Sequence, residues 1–204
     1  MNSKDYFNQF YLKNPESSYS KSLYHFFEND VRPRLSKKEL NILDLGAGNY
    51  SLFENIKNLS ANISAIDFST VANSSTPVSK IKYLEIDLLD PTFFNQKKFD
   101  LIFDSHCLNC LTEESQRTLA FKNIYEALSA EGLFASEQMI QPENSQVSMP
   151  FKMIKSAREL EEEILSYGLK IIYFTISQSS KFVNEVDGIE VQCDLVKIIA
   201  KKEL

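Results

Sequence analysis

"NILDLGAG", residues 41–48, decides the fold. Ile42, Leu43 and Leu45 make a short apolar run, Asp44 interrupts it, and Gly46 and Gly48 stop it. That pattern reads as a buried strand that turns sharply at its end. Glycine lets the backbone turn and approach a ligand without a Cβ in the way. A helix start just beyond it offers free N–H groups. Working outward, similar runs recur at "NISAIDFS" (62–69), "KIKYLEIDLLD" (80–90), "KFDLIFDSHC" (98–107) and "GLFASEQMI" (132–140). Each predicts a strand of about five to seven residues. Leu52, Phe53, Ile56 and Leu59 have helical spacing over 50–59. So do Leu119, Ile124 and Leu128 over 113–129, where Thr112 can cap the start, Glu113 and Glu114 suit the first turn, and Gly132 follows the end. Ser156 and Glu159 form a capping box that opens a helix over 156–167.

Strands alternating with helices imply a parallel sheet with helices on both faces. "LKIIYFTIS" (169–177) and "CDLVKIIAKK" (193–202) have only a polar loop between them and predict an antiparallel hairpin. The expected fold is therefore α/β: a seven-stranded, mostly parallel sheet with helices on both faces and a C-terminal antiparallel hairpin, forming a single domain over 1–204. Within it, residues 39–204 are the α/β core and residues 1–38 an N-terminal helical cap. Phe7, Phe10 and Tyr11, and then Leu23, Phe26 and Phe27, make apolar stripes in that cap. They predict helices that pack on the sheet, cover a site, or do both.

The chain has 204 residues, 43% hydrophobic and 25% charged, with a net charge of −6. That supports an ordinary core and argues against nucleic acid, whose partners concentrate positive charge on one face. The basic clusters "RPRLSKK" and "KKF" are short and offset by acids. No apolar run reaches the ~18–20 residues that span a membrane. "MNSKDYFNQFY" lacks the basic and apolar regions of a signal peptide. Three cysteines, an odd number, fit reduced thiols and a cytoplasmic location. Monomer and dimer both stay open.

Acids stand at the ends of successive strands. Asp67 lies 19 residues after Gly48, where a carboxylate can accept both hydroxyls of an adenosine ribose. Asp87, in "EIDLLD", ends the third strand beside the adenine position. In open α/β sheets ligands bind at this edge. The dinucleotide fingerprint wants a third glycine at position 51, where Ser51 stands. An NAD-dependent oxidoreductase stays open as an alternative.

"NILDLGAG", "AIDFS", "EIDLLD" and "KFDLIFDSHCL", in this order and spacing, resemble the successive motifs of the class I, Rossmann-like S-adenosylmethionine-dependent methyltransferases. The likeness covers about residues 40–140, and the antiparallel tail extends it. It implies a methyltransferase that uses S-adenosyl-L-methionine as cofactor. By this resemblance Asp44, Gly46 and Gly48, with Ala47 between them, surround the methionine part of the cofactor. Asp67, followed by Phe68, holds the ribose. Asp87 and Leu88 flank the adenine. Asp104 sits near the methionine moiety and the transferred methyl. The chain departs from the family at Tyr50, where a further glycine is common, and in the short segment 68–80. A methyltransferase-like fold serving as a non-catalytic binding module is a further alternative.

Methyl transfer from a sulfonium is an in-line displacement, which needs alignment and exclusion of water. A base is needed only if the nucleophile arrives protonated. His106 is the candidate, as general base or as a residue that shapes the pocket. Zinc is disfavoured, because His106, Cys107 and Cys110 lack a fourth nearby ligand, and no metal is expected. The Cys107/Cys110 pair lacks a thioredoxin-like context for redox work, and is expected to descend into packed structure. The motifs of DNA-methylating enzymes are missing, so the expected acceptor is a small molecule. Its specificity is assigned to the cap, through Tyr11, and to the long connection "QMIQPENSQVSMPFKMIKS" (138–156), through Met139 and Phe151, with His106 beside them.

Overall fold

A computed structural model describes residues 2–14, 20–95, 97–143, 145–183 and 190–203. Its strands are β1 (Leu40–Leu45), β2 (Ala61–Asp67), β3 (Lys82–Glu85), β4 (Phe99–Ser105), β5 (Leu128–Ile140), β6 (Leu169–Val183) and β7 (Glu190–Lys202). They form one sheet in the order β3-β2-β1-β4-β5-β7-β6. The first five are parallel, and β7 runs antiparallel to both β5 and β6. The seven-stranded α/β architecture expected from the sequence is present. The polar loop expected between the tail strands falls partly on residues 184–189, outside the described residues, as do cap residues 15–19.

β1 lies at the centre, and every residue of it except Asn41 is buried. That is why it reads as a nearly unbroken apolar run: both of its faces are covered. Successive side chains alternate between two cores. Leu43 and Leu45, with Ile102 of β4, face α4 (Pro91–Phe94), α5 (Glu114–Ala127) and α6 (Ala157–Ser166). Phe121 and Ile124 of α5 and Leu160 and Ile164 of α6 fill that core. Fully burying each such side chain contributes roughly 1.5–3 kcal/mol.

Ile42, Leu101 and Phe103 face the other way. A crossover helix after β1 was expected over 50–59 to cover this face. Instead only Leu52–Asn55 forms a single 3-10 turn. Ser51 caps that turn, Ile56 is extended, and Asn58 takes a positive φ of 55°, so the helix cannot continue. The cap fills the gap. Leu23 and Phe26 of α2 (Lys21–Phe26), followed by Phe27 and Val31 of the π-helical turn Phe27–Val31, complete the core. Phe27 and Phe53 meet edge-on at 5.1 Å, and Phe53 meets Phe103 at 5.7 Å.

The first cap helix behaves differently. α1 (Ser3–Lys13) buries no residue completely. It is tied across the carboxyl edge of the sheet by polar and ring contacts. Lys4 pairs with Glu85 at 2.9 Å, Asn8 Oδ1 accepts from Ser69 Oγ at 2.6 Å, and Tyr6 stacks on Phe151 at 4.6 Å. The two roles foreseen for the cap are thus divided: α2 packs on the sheet and α1 covers its edge.

Three local expectations need correction. The third strand stops at Glu85, so Asp87 lies in the following turn, where its carboxylate accepts the Leu89 N–H at 2.9 Å. Glu113, not Thr112, caps α5, in a reciprocal capping box with Gln116. α5 runs straight into β5 at Leu128, and Gly132 lies inside that strand rather than after the helix. It is glycine because a Cβ there would stand 2.7 Å from the Phe99 carbonyl oxygen. The capping box of Ser156 and Glu159 opens α6 as expected. Between β2 and β3, α3 (Thr70–Ser74) is one turn long, in keeping with the short segment. No described helix is long and apolar enough to cross a membrane.

Candidate active site

The crossovers leaving β1 and β4 go to opposite sides, toward β2 and β5. A crevice therefore opens between the carboxyl ends of these two neighbouring strands, which is where open α/β sheets bind ligands. Gly46 follows β1, and His106 follows Ser105, the last residue of β4. These three residues line both of two adjoining cavities, of about 380 Å³ and about 210 Å³. The larger one extends past Asp67, Phe68, Asp87 and Leu88 and under Tyr11 of α1. The smaller one is walled by Asp44, Ala47 and Tyr50, with Ser20 and Leu23 from the cap.

The glycine turn is built as its sequence suggests. Gly46 and Gly48 have φ of 59° and 61°, a region that side chains strain to adopt. A Cβ on Gly46 would stand 2.6 Å from the Cys107 Cβ, and one on Gly48 would stand 2.7 Å from the Tyr11 hydroxyl. The Ala47 N–H is tied to the Ile66 carbonyl at 3.0 Å. The Gly48 N–H donates to Asp67 Oδ2 at 3.0 Å, the Ser69 N–H donates to Oδ1 at 2.8 Å, and the Tyr11 hydroxyl reaches Oδ2 at 3.4 Å. Burial raises the Asp67 carboxyl above its ordinary range, and the two backbone donors oppose that rise. α1 thus lays a phenol on the same acid that the sequence singled out.

Asp44 is 3% exposed and accepts from Ser51 Oγ at 2.6 Å. Burial pushes its carboxyl up to about 7, the Ser51 hydrogen bond opposes the rise, and the charges of Asp104 and Asp67 add to it. The folded value is above the unfolded one. Asp44 therefore lowers stability as pH rises from about 4 through about 7, and the full cost is present above that window. Asp44→Asn should flatten this part of the stability–pH curve. Urea melts at pH 5 and pH 8 test it: the drop between the two should be smaller in the variant than in the wild type, and equal drops would contradict it.

Asp104 is placed differently from expectation. Its side chain is fully buried, accepting from Ser136 Oγ at 2.6 Å and from the Leu108 N–H at 3.1 Å, and it does not line either cavity. It fixes the turn after β4 from beneath. His106 does reach the junction. It takes a φ of 62°, outside the range that non-glycine residues favour. Its Nε2 lies 3.2 Å from Glu137 Oε1, and its Nδ1 is the buried side-chain polar atom left without a partner among the described residues. Glu137, from β5, is 1% exposed and also accepts from Ser22 Oγ at 3.2 Å, with Lys197 at 3.7 Å. Burial alone would raise the Glu137 carboxyl, but His106 and Lys197 hold it below its ordinary range.

Cys107 and Cys110 line the larger cavity, and Cys107 also packs against the core, as expected. Burial raises both thiols, which keeps them protonated and unsuited to nucleophilic work. Met139 is not at the site: it is buried in a separate cluster with Met149, Cys193 and Leu195. Its place on β5 turns it away from the crevice. Phe151 reaches the site only indirectly, by stacking on Tyr6 of α1.

Three contributors escaped sequence reading. Glu137 sits in a strand and looks like any solvated acid until β5 is placed beside β4, in register with Ser105. Asn109 is buried, donating to the Met139 and Met153 carbonyls at 3.1 and 3.0 Å and accepting from the Met139 N–H at 2.8 Å. It pins the 141–156 connection beside the cavity. Lys152, carried by that connection, lines the cavity. The clue available in the sequence was the length of the connection.

Residues 43–136 match a family model described as a methyltransferase domain. The sequence has no match among curated proteins. Solved structures share the fold. An S-adenosylmethionine-dependent methyltransferase from Methanosarcina mazei is 15% identical, with a TM-score of 0.67, over 86% of this chain and 98% of that one. One from Clostridium acetobutylicum is 15% identical, with a TM-score of 0.66, over 100% of both chains. The [4+2]-cyclase SpnF is 12% identical, with a TM-score of 0.70, over 93% of this chain and 84% of that one.

Proposed function

We propose, from the methyltransferase domain matched over residues 43–136 and from the shared fold, that this chain is a class I S-adenosylmethionine-dependent methyltransferase that transfers a methyl group to a small-molecule acceptor. The observation that carries the reading is the Asp67 carboxylate, held at the cavity wall by the Gly48 and Ser69 N–H groups. An acid in this position suits a ribose, whose two hydroxyls donate to it. The glycine turn supports the same reading: Gly46 lines both cavities, and the positive φ of Gly46 and Gly48 turns the backbone sharply at the end of β1. Ser51 is buried and bonded to Asp44, in the place where a dinucleotide fold has its third glycine. That favours this cofactor over NAD.

The bound cofactor supplies an electrophilic methyl group on a sulfonium. The chain's own residues must orient, enclose and deprotonate. Asp67 holds the ribose, Asp87 and Leu88 flank the adenine, and Asp44 faces the amino-acid end in the smaller cavity. Asp44 would be held as the carboxylate beside a cationic group there, its proton released to solvent, because an opposite charge favours the ionised form. α1 keeps water out with Phe7, Phe10 and Tyr11. Glu137 accepts the Nε2 proton of His106 and fixes the ring at the junction of the two cavities, with Nδ1 as its unpartnered basic nitrogen. The net charge of −6 supports a small molecule over nucleic acid as acceptor.

A second reading is a methyltransferase-like fold that does not transfer methyl, favoured by the likeness to a cyclase. Incubating the full chain with methyl-labelled S-adenosylmethionine and a metabolite extract separates the two. Label should appear in a small-molecule product, and none should appear with Asp67→Ala. Cofactor retention with no labelled product would favour the second reading.

A further inference from the structure

The larger cavity contains one cationic side chain whose charge nothing on the wall balances. Lys152 is half-buried and lines the cavity beside Cys110, Thr112 and Gln116. Its Nζ reaches the Cys110 sulfur at 3.5 Å, and among the described residues it forms no ion pair. Lysines usually carry the ammonium out to water along the stem, and are rarely buried unless paired. This one is turned inward and held there. The Met149–Lys152 bridge closes a tight loop, and Asn109 clamps the next residue from both sides: Met153 donates to the Asn109 carbonyl at 2.7 Å, and the Asn109 side chain donates to the Met153 carbonyl at 3.0 Å.

No thiol nearby supplies the missing charge. Cys107, Cys110 and Cys193 all feel the Lys152 ammonium, yet burial keeps each thiol raised and protonated. The carboxylates lining the cavity, Asp67 and Asp87, are engaged with backbone N–H groups of Gly48, Ser69 and Leu89. The wall also presents Phe7, Phe10 and Leu111, alongside the uncharged polar side chains of Thr112 and Gln116. An inward ammonium beside aromatic rings calls for a ligand with a negative group on a flat apolar body.

We propose that Lys152 is the recognition residue for the acceptor, and that the acceptor is a small aromatic or apolar carboxylic acid. This rests on the methyltransferase reading for the identity of the larger site, but the cation can be tested without it. The full chain is titrated by calorimetry with benzoate and phenylacetate and with their uncharged partners, benzamide and phenylacetamide. Each titration is run with and without saturating S-adenosylhomocysteine. The acids should bind more tightly than the amides by roughly tenfold or more, the worth of a charge-assisted hydrogen bond. Lys152→Met should erase that preference, Lys152→Arg should retain it, and both should melt like the wild type.

Equal binding of acids and amides, binding of neither, or a preference that survives in Lys152→Met would each overturn the proposal. So would a loss in Lys152→Met of affinity for S-adenosylhomocysteine with no acid preference in the wild type, which would assign the ammonium to the cofactor's own carboxylate. A failure of S-adenosylhomocysteine to bind at all would remove the methyltransferase reading, while the titrations without it still decide on Lys152.

Discussion

Asp67→Ala should weaken binding of S-adenosylhomocysteine on the order of 100-fold or more, the worth of two hydrogen bonds to a charged group. The fold should survive. Asp67 is 6% exposed, and burial raises its carboxyl, so in the free chain this acid lowers stability as pH rises through and above the ordinary carboxylate range. Alanine leaves the Gly48 and Ser69 N–H groups unpaired, which offsets part of the gain. Near-wild-type melting with lost binding is what separates a ligand-holding acid from a structural one. Asp67→Asn should fall between, because the amide still offers one oxygen to a hydroxyl. Calorimetry at pH 7.5 gives the affinities, and unchanged binding in Asp67→Ala would refute the ribose assignment.

The largest effect on stability is expected at Arg117. Its guanidinium is 1% exposed, yet it lies in the first half of a helix whose sequence looks like an ordinary amphipathic one. It donates to both oxygens of Glu163, with Nε at 2.7 Å, and its Nη1 donates to the Leu108 carbonyl at 2.6 Å. One side chain thereby joins α5, α6 and the 3-10 turn Leu108–Cys110 that carries the cavity wall. Arg117→Ala leaves the buried Glu163 carboxylate with Lys155 alone and strands the Leu108 carbonyl, which should cost about 3–5 kcal/mol. For a chain of this length that lowers Tm by on the order of 10 °C. Arg117→Met should cost less, because it keeps the packing, while Lys155 remains on Glu163 at 3.0 Å in both variants. A thermal melt of Arg117→Ala within a degree or two of wild type would show that Lys155 alone holds Glu163.

Local sequence signals carried the architecture. The apolar run ending at Gly46 and Gly48 marked the central strand and its turn, because a strand covered on both faces must be apolar throughout. Asp67 was legible for a related reason: an acid closing an apolar strand stands at the sheet's edge. Asp104 had the same local signature but a different outcome. Its carboxylate folds back to Ser136 and Leu108, and only the neighbouring strand reveals that. The missing helix over 50–59 failed for a matching reason. Apolar spacing there was real, but Phe53 packs from a single 3-10 turn, and the cap residues Phe26, Phe27 and Val31 occupy the rest of the face. Sequence spacing cannot tell which of two segments will cover a sheet. Glu137, Asn109 and Lys152 were invisible because each acts across strands or loops far apart in the chain.

The crevice between β1 and β4 is the proposed seat of S-adenosylmethionine. The most direct test is calorimetric titration of the purified full chain with S-adenosylhomocysteine, with NADH as the comparison. One S-adenosylhomocysteine should bind saturably per chain, and NADH should give no heat. Saturable NADH binding, or no binding of S-adenosylhomocysteine, would contradict it.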